Sequence, residues 1–205
     1  MAKTKGKTKT DEFNILITGV GGQGVMTLGA IIAQAAINEG KEVRTSELHG
    51  LAKRFGHTEF HLRIGKDAKT TIIPNRSADV IIALEPLESL PLIKYCDKGK
   101  TLAFLDSVQI KPTKMDIEEI PYPGLGEIKE KLKPHVKEIN GYAASGEAVK
   151  QTGKSVYANI YLLGKMLKRK ALPVSVRAVS KTIEDAFGKE GFNLKILNSS
   201  MKGKD

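Results

Sequence analysis

The chain has 205 residues, of which 40% are hydrophobic, and a formal net charge of +10. This length is sufficient for one complete hydrophobic core. Aromatic residues make up only 5% of the chain and offer few platforms for stacking bases, so we expect no nucleic-acid partner.

Cysteine content and hydropathy exclude further classes of protein. The single cysteine, Cys96, rules out an internal disulfide framework and any cluster bound by several cysteines of this chain. No apolar run approaches the roughly 20 residues of a membrane helix. With no signal-peptide pattern either, we expect a cytoplasmic protein with no membrane association.

The N-terminus differs in composition from the rest of the chain. The segment MAKTKGKTKT contains four lysines and no acidic residue, which is typical of a disordered arm. We therefore predict a disordered basic arm over residues 1–12. Residues 13–205 are predicted to form a single domain.

The first predicted elements enclose a cluster of glycines. The apolar run at 14–18 predicts a buried strand, and small apolar residues at helical spacing predict a helix over Val25–Asn38. Gly40 is expected to end this helix, and a second strand is predicted at 41–47. Four glycines lie between the first strand and the helix: Gly19, Gly21, Gly22 and Gly24.

The spacing of these glycines matches the G-x-G-x-x-G pattern of a dinucleotide-binding βαβ unit, with Glu47 as the acid after the second strand. In this interpretation Gly19 permits a tight turn, Gly21 lets an anion approach, and Gly24 brings helix and strand together. Unpaired N–H groups at the helix start suit a phosphate, and Gln23 adds a side-chain donor. The alternative is that the glycines only close a tight turn and Glu47 caps the next segment.

The middle of the chain predicts four more strands. Residues 57–65 alternate between apolar and polar, which predicts a half-exposed strand, and we expect a β-hairpin between this strand and residues 69–74. Ala78–Leu84 and Thr101–Asp106 predict buried parallel strands, and Glu85 with Pro86 is expected to open a helix after the first of them.

The remaining residues predict one last strand and a helical C-terminal part. The strand is expected at 135–141, and helices are expected at 124–132, 143–153, 155–170, 173–187 and 192–200. The predicted fold class is therefore α/β: a Rossmann-like open, mostly parallel sheet with helices on both faces.

Three stretches resemble one family. ITGVGGQG, TSELHGLAKRFGHTEFHLRIG and ANIYLLG stand in the order and spacing of the gamma-type domain of 2-oxoacid:ferredoxin oxidoreductases. The resemblance covers about 14–187 and is greatest to the small subunits of the indolepyruvate type. Where the family has HGMAQRGG, this chain has HGLAKRFG, so Lys53 replaces an amide and Phe55 replaces the first of two paired glycines.

The resemblance implies a heteromeric enzyme that oxidatively decarboxylates a 2-oxoacid, forms an acyl-coenzyme A and reduces ferredoxin. It implies that thiamine diphosphate, magnesium and iron–sulfur clusters lie on a large catalytic partner subunit, through which ferredoxin is reached. This chain is then expected to bind no cofactor stably by itself. Its residues agree, because a cluster needs several cysteine thiolates and Cys96 is alone.

Candidate site residues follow from this resemblance. The glycine loop suits the phosphates of coenzyme A as a substrate, and His49 and Arg54 are the candidates for a catalytic role. His49 equally suits a hydrogen bond that braces its own loop. Asn159 either belongs to the site or bridges to a neighbouring loop.

No metal site is expected, because His57 and His61 lie on a predicted strand and share no helical face. We expect these two histidines and His135 to have structural or surface roles. Two other functions stay open: an autonomous Rossmann dinucleotide-binding oxidoreductase, and a stand-alone coenzyme A-binding module.

Overall fold

One six-stranded sheet organises the part of the chain that the computed structural model describes, which is residues 11–50, 56–112, 115 and 117–203. The strand order is β2-β3-β1-β4-β5-β6. The strands are β1 (Phe13–Val20), β2 (Val43–His49), β3 (His57–Ile64), β4 (Val80–Ala83), β5 (Leu102–Asp106) and β6 (Glu138–Tyr142).

The sheet is mixed because one strand runs against the others. β1, β4, β5 and β6 are parallel neighbours, whereas β3 is antiparallel to both β1 and β2. β1 and β2 therefore point the same way but are separated by β3. The predicted βαβ unit exists, but its two strands do not pair with each other.

Helices cover both faces of this sheet. They are α1 (Val25–Asn38), α2 (Leu125–Leu132), α3 (Ala144–Thr152), α4 (Ala158–Lys168), α5 (Val176–Phe187) and α6 (Phe192–Lys202), with 3-10 segments at Leu87–Tyr95 and Ser155–Tyr157. The larger core packs α1, α4, α5 and α6 against one face of the sheet. The smaller core packs the longer 3-10 segment and α2 against the other face.

The α/β class, the helices on both faces and the helical C-terminal part are confirmed. The bounds predicted for α1 agree with the structure, and Gly40 follows it with φ of 76°. The helix predicted after β4 is a 3-10 segment that contains Pro91. α5 begins at Val176 rather than Pro173, because the Ser175 side chain caps it by accepting from the Ala178 N–H at 3.1 Å.

Two predictions about β3 were wrong. Residues 69–74 form no strand, and the antiparallel partners of β3 are β2 and β1. The strand is also buried on both faces rather than half exposed, since its polar side chains find partners inside the protein. Arg63, for example, is 4% exposed, and its guanidinium donates to Asn14 at 2.8 Å and to Glu12 at 2.6 Å.

Residues 1–10 of the predicted basic arm lie outside the described residues. The last two residues of the arm contact the domain: the Asp11 N–H donates to Asp67, and Glu12 forms an ion pair with Arg63. In the part of the chain that the structure describes, every helix is too short or too polar to span a bilayer.

Candidate functional site

A cleft of about 650 Å³ opens at the sheet edge where β1 ends and α1 begins. The end of β2 and the start of β3 form its opposite wall, since β3 runs against β1. The described lining residues are Val20, Gly21, Gly22, Gly24, Val25, Met26, Thr27, His49, Gly50, Gly56, His57, Thr58 and Val156. Most of the predicted glycine loop therefore lines one cleft together with His49.

The glycine loop turns by positive φ at Gly22 (102°) and Gly24 (83°). Gly19, in contrast, lies within β1, where a Cβ would come within 2.8 Å of Gln23 Oε1. The sharp turn expected from Gly19 is thus made at Gly22 and Gly24, three and five residues later. The Gly21 N–H is used internally, because it donates to the Gly56 carbonyl at 3.0 Å.

Unpaired donors lie at the start of α1. Among the described residues, the N–H groups of Gly22, Val25, Met26 and Thr27 donate no hydrogen bond. The helix has no side-chain cap and no acidic residue in its first turn. These residues line the cleft, and their N–H groups carry the positive end of the helix dipole, an arrangement that suits an anion.

Gln23 braces this loop. Its Oε1 accepts from the Val20 N–H at 2.8 Å, and its Nε2 donates to the Leu84 carbonyl at 2.7 Å. The side chain therefore joins the loop to the residue that follows β4. Donation from Gln23 to a bound anion stays a prediction, and it would use the second hydrogen of the amide.

Asn159 holds the turn from the side of α4. It is buried, and its Nδ2 donates to the Gly24 carbonyl at 3.2 Å. A Cβ on Gly24 would lie 2.4 Å from that nitrogen. Of the two roles weighed for Asn159, the contacts favour the bridge to a neighbouring loop.

The structure separates the remaining predicted site residues. His49 lines the cleft with 57% of its side chain exposed, and its Nε2 lies 3.6 Å from Glu47 Oε2. Glu47 itself is not among the described lining residues. Because β3 separates β2 from β1, Glu47 lies two strands away from the glycine loop, unlike the acid of a dinucleotide-binding unit. Arg54 lies outside the described residues, as do Lys53 and Phe55.

Sequence reasoning missed a network of carboxylates and imidazoles at the cleft. His57 Nδ1 bonds to Glu88, and its Nε2 lies 3.3 Å from Glu59 Oε2. Glu59 Oε1 accepts from His61 Nε2 at 2.5 Å, and His61 Nδ1 accepts from the Ile73 N–H at 3.1 Å. The alternation of polar residues in β3 was the available signal, but it was interpreted as an exposed face.

Hydrogen bonding fixes the charges in this network. The bonds to Glu59 and Glu88 raise the pKa of His57 from 6.5 to about 9, although partial burial opposes the shift. Burial raises the pKa of Glu59, but hydrogen bonds from His57 and His61 outweigh it and lower that pKa to about 2. At neutral pH, His57 is therefore an imidazolium that donates from both ring nitrogens.

A buried carboxyl lies behind this network. Glu85 is 1% exposed, bonds to the Tyr122 hydroxyl, and accepts from the N–H groups of Glu88 at 3.1 Å and Ile110 at 3.3 Å. Burial raises the pKa of Glu85. The residue thus ties the 3-10 segment that carries Glu88 to the connection between β5 and α2, which contributes Ile110 and Tyr122. No group of three or more potential metal ligands is present in the described part of the chain.

Comparison with known proteins identifies the family. Residues 14–203 match the family model described as pyruvate ferredoxin/flavodoxin oxidoreductase. The chain belongs to this family. An indolepyruvate oxidoreductase subunit IorB from Pyrococcus horikoshii is 35% identical over 84% of this chain and 85% of its own length. The IorB subunit from Archaeoglobus fulgidus is 36% identical over 90% of this chain and 91% of its own.

A solved structure supports the fold. The 2-oxoglutarate:ferredoxin oxidoreductase from Magnetococcus marinus, with 2-oxoglutarate, coenzyme A and succinyl-CoA bound, superposes with a TM-score of 0.66 at 19% identity. The match covers 95% of this chain but only 31% of that longer chain. The resemblance to the indolepyruvate type is confirmed, and the chain is a small subunit of a 2-oxoacid:ferredoxin oxidoreductase.

Proposed function

We propose that this chain is the non-redox subunit of a cytoplasmic indolepyruvate:ferredoxin oxidoreductase. The complex would decarboxylate indolepyruvate or another aryl pyruvate, form the acyl-coenzyme A and pass two electrons to ferredoxin. The names of the IorB relatives support the choice of 2-oxoacid.

The redox cofactors are assigned to the large partner subunit. Iron–sulfur clusters are held by several cysteine thiolates, and the full sequence contains only Cys96, which is buried. Burial also raises the pKa of the Cys96 thiol to about 12, which disfavours the thiolate needed for ligation. Thiamine diphosphate and magnesium are assigned to the same partner, and ferredoxin would be reached through the complex.

The contribution of this chain is to bind coenzyme A through its phosphates. One observation carries this proposal: Gly22, Val25, Met26 and Thr27 line the cleft with unpaired N–H groups, and the first turn of α1 contains no acid. Coenzyme A carries a diphosphate and a phosphate, whose oxygens match such donors. His49 lies across the same cleft and would contribute a donor to the ligand.

A charge reversal at Thr27 tests the proposal. Thr27 is exposed, lines the cleft and occupies the third position of α1. Thr27→Glu places a carboxylate there, which would compete with the phosphates, while favourable interaction with the helix dipole keeps the fold stable. Thr27→Gln is the matched control of nearly the same size without charge.

The measurement is steady-state activity of the complex reconstituted from this chain and its catalytic partner, at varied coenzyme A. We expect Thr27→Glu to raise the KM for coenzyme A at least tenfold with an unchanged melting temperature, and Thr27→Gln to remain within about threefold of the wild type. An unchanged KM in Thr27→Glu would refute phosphate binding at this helix end.

A further inference from the structure

The contacts of Gly56 and His57 join two parts of the cleft wall to the 3-10 segment behind it. His57 begins β3, directly after Gly56, whose carbonyl accepts the Gly21 N–H. Its own carbonyl accepts the Gly50 N–H at 2.8 Å, which closes the end of β2 onto β3. Its ring reaches Glu88 in the 3-10 segment that follows β4. The Gly56 and His57 backbone thus contacts the glycine loop and the end of β2, and the His57 ring connects this backbone to the segment after β4.

Both ring nitrogens of His57 need a proton for this arrangement. Each nitrogen faces a carboxylate, which has only acceptor oxygens when ionised. A neutral imidazole would turn one lone pair toward a carboxylate. It would also leave Glu59 and Glu88 with no cation between them.

We propose that His57 is a positioning residue for coenzyme A. Held as an imidazolium between Glu59 and Glu88, it fixes the Gly56–His57 segment, whose Gly56 carbonyl accepts the Gly21 N–H, and so keeps the glycine loop in its ligand-binding conformation. The inference rests on the proposed binding of coenzyme A in this cleft. His57 is not a general acid or base in this account, because both of its nitrogens are engaged by protein carboxylates.

The surrounding charges set the direction of the pH effect. Glu59 and Glu88 bond to His57 directly, His61 acts through Glu59, Glu85 lies behind Glu88, and His49 lies on the neighbouring strand. The described first turn of α1 has no titratable side chain on this wall. Deprotonation of His57 releases the Gly56–His57 segment and makes the net charge beside the proposed anion site more negative by one. Both effects weaken coenzyme A binding, and the pKa of about 9 places the loss above neutral pH.

The test follows the KM for coenzyme A from pH 6 to 10 in the reconstituted complex. The wild-type KM should stay flat to about pH 8 and rise at least fivefold by pH 10. Glu88→Gln keeps an acceptor oxygen but removes the charge that holds the proton on His57. It should therefore move the rise in KM to lower pH by about one pH unit, with kcat at pH 7 within twofold of the wild type.

His57→Gln should raise the KM at pH 7 at least fivefold and abolish its pH-dependent rise, whereas the exposed His135→Gln serves as the control and should match the wild type. If the pH profile of the KM is the same in Glu88→Gln as in the wild type, the inference is overturned. This result decides the test even if His57→Gln fails to fold. If Thr27→Glu leaves the KM unchanged, the proposed function itself fails. If Thr27→Glu raises the KM but Glu88→Gln does not move the profile, only the role of His57 fails.

Discussion

Substitution of Gly24 by alanine tests the geometry of the turn before α1. Gly24 has φ of 83°, and the added Cβ would lie 2.4 Å from Asn159 Nδ2. The left-handed conformation costs a non-glycine residue about 1–2 kcal/mol. Displacing the Asn159 amide removes its hydrogen bond to the Gly24 carbonyl, which is worth about 0.5–1.5 kcal/mol.

We therefore expect Gly24→Ala to lower the free energy of unfolding by about 2–3 kcal/mol. In a domain of this size the melting temperature should fall by roughly 5–10 °C. Urea denaturation of the isolated chain gives the first quantity, and calorimetry gives the second.

Gly22→Ala is the matched control. Gly22 has φ of 102°, but a Cβ there would meet no described atom within 4 Å, so only the conformational cost of about 1–2 kcal/mol applies. The cost of Gly24→Ala should also fall when Asn159 is replaced by alanine, since the obstructing amide is then absent. If Gly24→Ala costs no more than Gly22→Ala, or if its cost is the same with and without Asn159, the reasoning is refuted.

Three further predictions concern the core, pH and cofactor content. Gly29→Ala should lower the free energy of unfolding, measured by urea denaturation, by about 1–3 kcal/mol, because the added Cβ would lie 2.5 Å from the Phe60 ring. A stabilising effect, which alanine has at an exposed helix position, would contradict this packing. Because the pKa of His57 is raised from 6.5 to about 9, its protonation contributes fully to stability below pH 6.5, and this contribution is lost as pH rises through 9. The difference in free energy of unfolding between the wild type and His57→Gln should therefore shrink by about 1–2 kcal/mol from pH 7 to 10. The chain expressed alone and anaerobically should be colourless and free of iron by absorbance and metal analysis; iron–sulfur absorbance would contradict the assignment of clusters to the partner.

Sequence patterns predicted the helices and strands that are determined by residues close together in the chain. Apolar runs and helical spacing located β1 and α1, and Gly40 marked where α1 ends. The insertion of β3 between β1 and β2 was not predictable in this way, since strand order is set by contacts between residues far apart in the chain.

The sequence predicted where the cleft lies but not which partners its residues bond to. The glycine spacing located the cleft, whereas the uses of Gly21, Gln23 and Asn159 depend on partners that only the fold brings near. The alternating polar side chains of β3 suggested solvent exposure, because periodicity reports which face a residue occupies and not what covers that face. Glu59 and His61 are buried there because they bond to each other.

Hydrogen exchange of the reconstituted complex tests the central claim most directly. The amides at the start of α1 are unpaired in this structure, so they should exchange fast without ligand and slowly once phosphate oxygens accept their hydrogens. The ligand would be desulfo-coenzyme A, which lacks the reactive thiol and so allows binding without turnover. We predict that it protects the peptide spanning residues 21–28 more than the rest of this chain. Protection confined to the partner subunit, with residues 21–28 exchanging as fast as before, would contradict the account.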